Sequence, residues 1–189
     1  LQVLYHNNSI LKGTIAATHL RDKHQATLNA NLQDLFLNAR IVQDFLSDMQ
    51  DKPVHLPTPV HRLGDMHYKG LLSGQFIDLK LQGAFKTAQG TITTDATLKT
   101  DTVHHFLTFN GKIGTKRFNL GRTLDNKDLG SIKMDIRANA RLDSIGIQTG
   151  TGEMSVHEVT YKGYTYRAIT LAGQFHDYIL DAVMSVHDQ

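Results

Sequence analysis

The sequence predicts an all-β, mainly antiparallel protein whose strands form one long twisted sheet with one apolar face. Apolar and polar residues alternate with a period of two along most of the chain, and short turn signals separate the alternating runs. The interior apolar positions of the clearest runs carry no Lys, Arg, Asp or Glu. Because successive side chains of a strand point to opposite faces, the alternation gives each strand one apolar and one polar face. Short connections between the strands favour an antiparallel sheet with one solvent-exposed face.

The clearest strand is the segment GSIKMDIRANARLD, residues 130–143. Apolar side chains recur at every second position from Ile132 to Leu142, and polar ones fill the positions between them. This pattern predicts a half-buried strand of about 12 residues. The same rhythm predicts strands at 25–32, 77–86, 92–99 and 180–186. Small and polar residues predict turns between strands at 87–90, 125–130, 149–152 and 175–178.

Two segments break the alternation and predict one or two short connector helices. In the segment NARIVQDFLSDMQ, helical spacing relates Val42, Phe45, Leu46 and Met49, and Asn38 is placed to cap the helix. The segment FNLGRTL, residues 118–124, predicts one or two further helical turns. The proline-containing segment KPVHLPTPVHR, residues 52–62, is expected to be a linker or a sheet edge, because proline cannot donate to a strand ladder.

Composition excludes several classes of protein. The 189 residues carry a net charge of +2 without a cluster of basic residues, so we expect no nucleic-acid partner. Cysteine is absent, which excludes disulfides, thiolate metal sites and cysteine nucleophiles. The longest apolar runs are a few residues, far short of the ~20 needed for a membrane-spanning helix.

Candidate catalytic and metal-binding residues do not form a convincing site. His55, His61 and His67 are evenly spaced, but prolines interrupt the segment, and ligands six residues apart on a strand would lie ~20 Å apart. Four carboxylates fall on polar faces of predicted strands: Asp78, Asp95, Asp135 and Asp181. We therefore expect no enzyme activity, no cofactor and no metal.

The apolar face is the most informative surface, and it has two interpretations. It is either a packed core or a partly open apolar groove, which would need a ligand or partner. If it is a groove, its predicted lining consists of large aliphatic and aromatic side chains: Leu28, Leu32, Leu79, Leu81, Phe85, Ile92, Leu98, Leu107, Phe109, Ile132, Met134, Ile136, Leu142, Met154, Val156, Ile169, Leu171, Phe175, Leu180, Met184 and Val186.

One phrase occurs twice in the chain. Residues 68–85 and 161–175 both begin with Tyr-Lys-Gly, and both end with Leu-x-Gly-x-Phe after another aliphatic residue. We interpret both copies as strands of a repeating unit, with Gly173 where the lining is thin or the sheet bends. Arg167 is two residues before Ile169, so the alternation puts it on the apolar face. If that face is a groove, we expect Arg167 at its rim.

The segments DLKLQGAFKTAQGTITTDATLKTD, FNLGRTLDNKDLG and VHEVTYKGYTYRAITLAGQFHDYILDAVMSVHD resemble the AsmA-like TamB family of Bacteroidota. The likeness covers at least Tyr68–Gln189 and includes a connector matched by Phe118, Asn119, Leu120, Gly121, Arg122 and Leu124. The resemblance implies a very long periplasmic β protein, anchored in the inner membrane by a segment outside this chain. It implies that the sheet is a half-pipe or β-taco whose apolar inner face is a groove for phospholipid acyl chains. It also implies contact of the full-length protein with an outer-membrane assembly barrel of the TamA type.

The expected function is thus carriage of phospholipid between the inner and outer membranes by one section of such a protein. Two alternatives stay open: a chaperone-like module for outer-membrane protein assembly, and a closed β-sandwich interaction domain. We expect one continuous segment over residues 1–189, with a division into two repeat units at about 1–60 and 61–189 as a further possibility.

Overall fold

A computed structural model describes residues 2–5, 8–19, 21–22, 25–50, 52–143, 147–176 and 179–187. Eleven strands form one antiparallel sheet in which spatial order follows chain order. The strands are β1 (Gln2–Tyr5), β2 (Asn8–Thr18), β3 (Thr27–Leu37), β4 (Met66–Gln75), β5 (Asp78–Thr87), β6 (Gly90–Asp101), β7 (Phe106–Asn119), β8 (Leu129–Leu142), β9 (Ile147–Tyr161), β10 (Tyr164–His176) and β11 (Ile179–Val186).

The sheet is open, with β1 and β11 at its two edges. The prediction of an all-β, mainly antiparallel fold with short connector helices is therefore confirmed. The closed sandwich is not what the described residues form, since their strands belong to one sheet. The division into two repeat units stays a prediction.

In the part of the chain that the structure describes, three short helices connect strands, rather than the one or two expected: α1 (Ala39–Gln50), α2 (Thr58–His61) and α3 (Leu120–Leu124). The backbone N–H of Ile41 donates to Asn38 Oδ1 at 3.0 Å, which confirms the predicted cap of α1. Asn119 caps α3 in the same way, by accepting from Arg122 N at 2.9 Å. The single turn α2, with proline in its first turn, was missed because four residues carry no helical period.

One predicted turn is wrong. Residues 149–152 lie inside β9, where Gly150 pairs with Ala140 and Gly152 pairs with Ala138 of β8. Threonine and glycine are common turn residues, but here the glycines occupy apolar-face positions of a strand. The predicted turn at 87–90 is confirmed, and that at 175–178 lies partly outside the described residues.

The core consists of three clusters of buried side chains on the apolar face. They centre on Tyr68 with Leu32 and Ala30, on Leu79 with Leu107, and on Phe118 with Ile132 and Val156. Each cluster joins residues from different strands, so burial of side chains on this face stabilises the sheet in addition to the backbone pairing of its strands.

The segment between β3 and β4, residues 39–65, lies on the apolar face, and we call it the helical insert. Leu46 of α1 packs against the Leu79–Leu107 cluster. The ring centroids of Phe45 and Phe76 lie 5.4 Å apart in an edge-on arrangement. At its other end, Leu63 packs against the Phe118 cluster. The proline-containing segment is therefore a linker within the insert and not a sheet edge.

Polar contacts hold both α1 and the returning part of the helical insert in place. The N–H of Val54 donates to Ser47 Oγ at 3.0 Å, which ties the returning chain to α1. Arg62 forms an ion pair with Asp125, with Nη2 2.9 Å from Oδ2. The side-chain amide of Gln89 donates to the Arg62 carbonyl at 3.0 Å. The insert is thus attached to the sheet at the turn between β5 and β6 and just after α3.

Replacing Leu79 with Ala should destabilise the protein by about 2–5 kcal/mol, because this side chain is 2% exposed beneath α1 and its loss leaves a cavity. The matched control is Leu180→Ala, at a leucine that is 63% exposed, and we expect its effect to stay within about 0.5 kcal/mol. Urea unfolding followed by circular dichroism measures both. Equal effects would contradict the assignment of Leu79 to the core.

Asp101 should titrate far below an ordinary aspartate. The backbone N–H and ring of His104, with the N–H of Val103, hold its pKa at about 2 rather than 3.8. Because the pKa is depressed on folding, the stabilisation is present above pH 3.8 and is lost as pH falls towards about 2. Carboxyl carbon NMR should show this titration. Asp101→Asn should remove that part of the acid-induced loss of stability, and an unchanged pH profile would contradict the assignment.

Candidate functional site

Strand register keeps one face apolar from β2 to β11. Residues directly opposite each other on neighbouring strands share a face. One such row runs through Gly13, Leu32, Gly70, Gly83, Thr94, Ile113, Ile136, Met154, Leu171 and Met184. Parallel rows on either side contain the other predicted lining residues. The register therefore brings the whole predicted set onto one face, while contact with lipid stays a prediction.

The predicted lining residues differ in exposure. Five are buried: Leu32, Leu79, Leu107, Ile132 and Val156. Thirteen are half-buried: Leu28, Leu81, Phe85, Ile92, Leu98, Phe109, Met134, Ile136, Leu142, Met154, Ile169, Leu171 and Phe175. The three exposed ones, Leu180, Met184 and Val186, all belong to β11. Exposure thus increases towards the C-terminal edge of the sheet.

The N-terminal part of the face is filled. The helical insert packs on the middle strands, and Tyr68 covers the neighbouring glycines. The Tyr68 ring is 1% exposed, lies 4.7 Å from the Phe85 ring and donates its hydroxyl to the Leu71 carbonyl at 2.9 Å. Burial raises the pKa of the Tyr68 hydroxyl above its ordinary value. A β carbon at Gly70 or Gly83 would come within 2.9 Å of that hydroxyl oxygen, so both positions need glycine.

The C-terminal part of the face contains an uncovered depression of about 230 Å³, which we call the trough. Its floor is a row of small residues on β8 to β11: Ala138, Gly152, Gly173 and Ala182. Larger side chains rise on both sides, with Ile136, Met154 and Leu171 on one and Phe175 and Leu180 on the other. On β8 and β9 the second row consists of the small residues Ala140 and Gly150, so the floor is two rows wide there and one row wide on β10 and β11. Small residues flanked by large ones produce a concave apolar surface.

Of the four floor residues, Gly173 alone was singled out from the sequence, as a place where the lining is thin or the sheet bends. Ala138 and Ala140 followed the alternation, but their small size kept them out of the predicted lining, and Ala182 was omitted for the same reason. The alternation within each strand could have indicated these residues, because it places them on the apolar face. Small residues at apolar-face positions on four neighbouring strands indicate a depression only when the register aligns them.

The two copies of the repeated phrase have different surroundings. Tyr68-Lys69-Gly70 lies within β4, whereas Tyr161 ends β9 and Lys162-Gly163 forms the turn to β10. The two Tyr-Lys-Gly openings therefore occupy different places, and the interpretation of both copies as strands of a repeating unit stays a prediction. The Leu-x-Gly-x-Phe parts do both lie inside strands, and Gly83 accommodates Tyr68 while Gly173 lies on the trough floor.

Arg167 does not lie on the apolar face, although its parity with Ile169 suggested so. It pairs with Glu158, which pairs with Lys133 on the polar face of β8. Its Nε lies 3.5 Å from Glu158 Oε1, and both side chains are exposed. The register of β8 with β9 shifts beside Lys133, and Ala168 has a φ of +50°. This irregularity leaves Arg167 off the apolar face and its rim.

The polar face carries the paired carboxylate and histidine side chains. Asp135 Oδ2 lies 2.7 Å from His157 Nε2, and Asp34 Oδ1 lies 2.8 Å from His67 Nδ1, all on exposed or half-buried side chains. Among the described residues, no group of three or more His, Cys, Asp or Glu side chains is arranged to hold a metal. Among the described residues, the apolar-face positions of β8 to β11 contain no Asp, Glu, His, Lys or Arg, so the trough offers mainly hydrophobic contact and dispersion.

No protein-family model matches this sequence, and comparisons with curated proteins and with solved structures give no significant match. In the part of the chain that the structure describes, no helix is both long and apolar enough to cross a bilayer.

A pair of glycine substitutions should separate the filled and open parts of the face. Gly83→Ala places a methyl group 2.3 Å from the Lys69 carbonyl oxygen and should destabilise the protein by about 1–3 kcal/mol. Gly152→Ala meets nothing closer than 3.4 Å and should be neutral or stabilising by up to about 1 kcal/mol. Thermal and urea unfolding measure both variants. Equal destabilisation would show that the trough floor is packed in solution.

Proposed function

We propose that this chain is a section of a TamB-like periplasmic protein, and that its apolar face carries phospholipid acyl chains between the inner and outer membranes. The uncovered trough on an open sheet is the observation that carries the proposal. The resemblance in sequence supports the family, the periplasmic location, the inner-membrane anchor outside this chain and the contact of the full-length protein with a TamA-type barrel.

The size of the trough suits a hydrocarbon chain. Strands lie about 4.8 Å apart, so the floor from β8 to β11 spans about 14 Å. One leaflet of a bilayer core is about 15 Å thick, which is the span of one acyl chain in the membrane. A single chain can therefore cross the uncovered strands while its headgroup stays in water.

The energetics suit a carrier better than a tight binding site. Each CH₂ removed from water contributes about 0.8 kcal/mol, and the contribution does not depend on direction. No hydrogen-bonding side chain stands on the floor to hold a ligand at one point. Lipid would be held by the extent of contact and could shift along the face without breaking a specific bond.

Lipid contact can be tested with the purified chain and phosphatidylethanolamine vesicles that contain a trace of photoactivatable acyl chain. We expect crosslinks on trough residues, and native mass spectrometry should detect bound phospholipid. Leu171→Asp should reduce crosslinking at least tenfold, because it places a charge among the hydrocarbon contacts. Gly152→Leu should do so by filling the floor, where a β carbon has room.

The matched controls are the neighbouring polar-face residues. Thr170→Asp and Thr151→Leu make the same kinds of change on the opposite face and should leave crosslinking within twofold of the wild-type chain. Labelling confined to the polar face, or unaffected by Leu171→Asp, would contradict the proposal. Protection of an unfolded outer-membrane protein without any lipid labelling would favour the chaperone alternative.

A further inference from the structure

The row of small residues that forms the trough floor continues beyond β8 towards the helical insert. Ala138 lies opposite Gly111 of β7, and Gly111 lies opposite Ala96 of β6. The next residue in the row is Leu81 of β5, which is the first large side chain. Small residues therefore occupy one row across six neighbouring strands, and this row leads from the uncovered trough to the strands on which α1 lies.

The helix α1 contacts the rest of the apolar face through apolar side chains. Leu46 packs against Leu79 of β5 and Leu107 of β7, and the Phe45 ring lies edge-on to the ring of Phe76, between β4 and β5. Phe45 is nevertheless 37% exposed, and Leu46 is only half-buried. These contacts are of the kind that a hydrocarbon chain makes, and they do not depend on direction.

The polar contacts of α1 stay within the helical insert. Ser47 Oγ accepts from the Val54 N–H at 3.0 Å, and Gln43 Oε1 accepts from the Leu56 N–H at 3.4 Å. Among the described residues, neither a hydrogen bond nor a salt bridge joins α1 to a strand. Movement of α1 away from the sheet, together with the residues that follow it, would therefore break no polar contact with the sheet.

The returning part of the helical insert is attached differently. Arg62 forms its ion pair with Asp125, and the Ala88 N–H donates to the Leu63 carbonyl at 3.1 Å. Leu63 also packs against the Phe118 cluster. This end of the insert is held by polar and apolar contacts together, so it can serve as a tether when α1 moves.

A buried hydroxyl group lies on the strand beside α1. Thr100 of β6 is 6% exposed and lies opposite Leu107, one of the two residues that Leu46 covers. Its Oγ1 has no hydrogen-bond partner among the described residues. A buried hydroxyl without a partner loses its bonds to water and disfavours the state in which it is buried. The covered arrangement of this row is therefore less stable than one in which water reaches Thr100.

We propose that α1 is a displaceable cover, and that the surface beneath it on β5 to β7 is a second stretch of apolar face for phospholipid acyl chains. This inference rests on the proposed function. An acyl chain that follows the row of small residues replaces the contacts of Phe45 and Leu46 without breaking a hydrogen bond to the sheet. Because the acyl chain is narrower than a helix, which is about 10 Å across, water can reach Thr100 beside it.

Opening of α1 can be measured without lipid, because the chain contains no cysteine. Leu107→Cys places a thiol beneath α1, and the matched control Leu32→Cys places one in the Tyr68 cluster, at a leucine that is 2% exposed. We expect iodoacetamide to modify Leu107→Cys at least tenfold faster, with each rate divided by that of the same variant in urea. Equal ratios would show that α1 leaves only when the whole protein unfolds, and would overturn the proposal.

Replacement of Thr100 tests the contribution of the buried hydroxyl. Thr100→Val keeps the shape of the side chain and removes the group that lacks a partner, so hydrogen exchange of the Leu46 amide should slow by about fivefold or more. Thr91→Val makes the same change at an exposed polar-face position of β6 and should stay within twofold of the unmodified chain. Equal effects of the two substitutions would contradict the assignment of Thr100 to the covered surface.

A crosslink between α1 and the sheet tests the lipid path. Phe45→Cys with Phe76→Cys is joined by a short bifunctional thiol reagent, and the same variant treated with a monofunctional reagent is the control. With phosphatidylethanolamine vesicles that contain photoactivatable acyl chains, the control should be labelled at Leu79 and Leu107. The joined protein should show at least tenfold less label at these two residues, while label at Leu171 in the trough stays within twofold.

The pattern of labelling separates this inference from the proposed function. Label at Leu171 without label at Leu79 or Leu107 in the control would overturn the second stretch and leave the proposed function intact. Label beneath α1 that the crosslink does not reduce would show that α1 is not the cover. The absence of label at all three residues would contradict the proposed function, and this inference with it.

Discussion

Everything in this structure depends on strand register that stays in phase from one edge of the sheet to the other. A slip of one residue in any pairing would turn the apolar side chains of the following strands to the wrong face. The register shift in β7 between Thr115 and Phe118 shows that the apolar side chains stay on one face across an irregularity. One additional residue is accommodated there, because two residues of β7 lie opposite Lys133 alone. Arg117 takes a φ of +49°, and Phe118 still lies opposite Ile132 in the core.

The same apolar face serves two purposes along its length. Under the helical insert it is a packed core, in which Leu79 and Leu107 are buried by Leu46. On the last strands similar residues form an uncovered trough. The aliphatic residues that these strands share therefore do not decide whether the face is open. Tyr68 of β4 and the helical insert cover the N-terminal part, and nothing among the described residues covers the trough.

Local patterns in the sequence predicted what depends on near neighbours. Alternation from Ile132 to Leu142 was sufficient to identify β8, and Asn38 with a helical period was sufficient to identify α1 and its cap. A turn was wrongly predicted at 149–152 because glycine and threonine fit a turn and a strand equally well, and pairing with β8 decides between them. The packing of Leu46 against Leu107 and of Tyr68 over Gly83 joins residues that only the folded register brings together, so no local period could indicate the insert or the position of the trough.

The sequential order of the strands has a consequence for how the protein folds. Every strand pairs with the one before it, so most pairings close a short loop and cost little chain entropy. The pairing of β3 with β4 is different, because the chain between them must first place the helical insert. From β4 onward each finished edge can receive the next strand as soon as it is synthesised. The sheet can therefore grow strand by strand from β4 while the pairing of β3 with β4 forms as a separate, slower step.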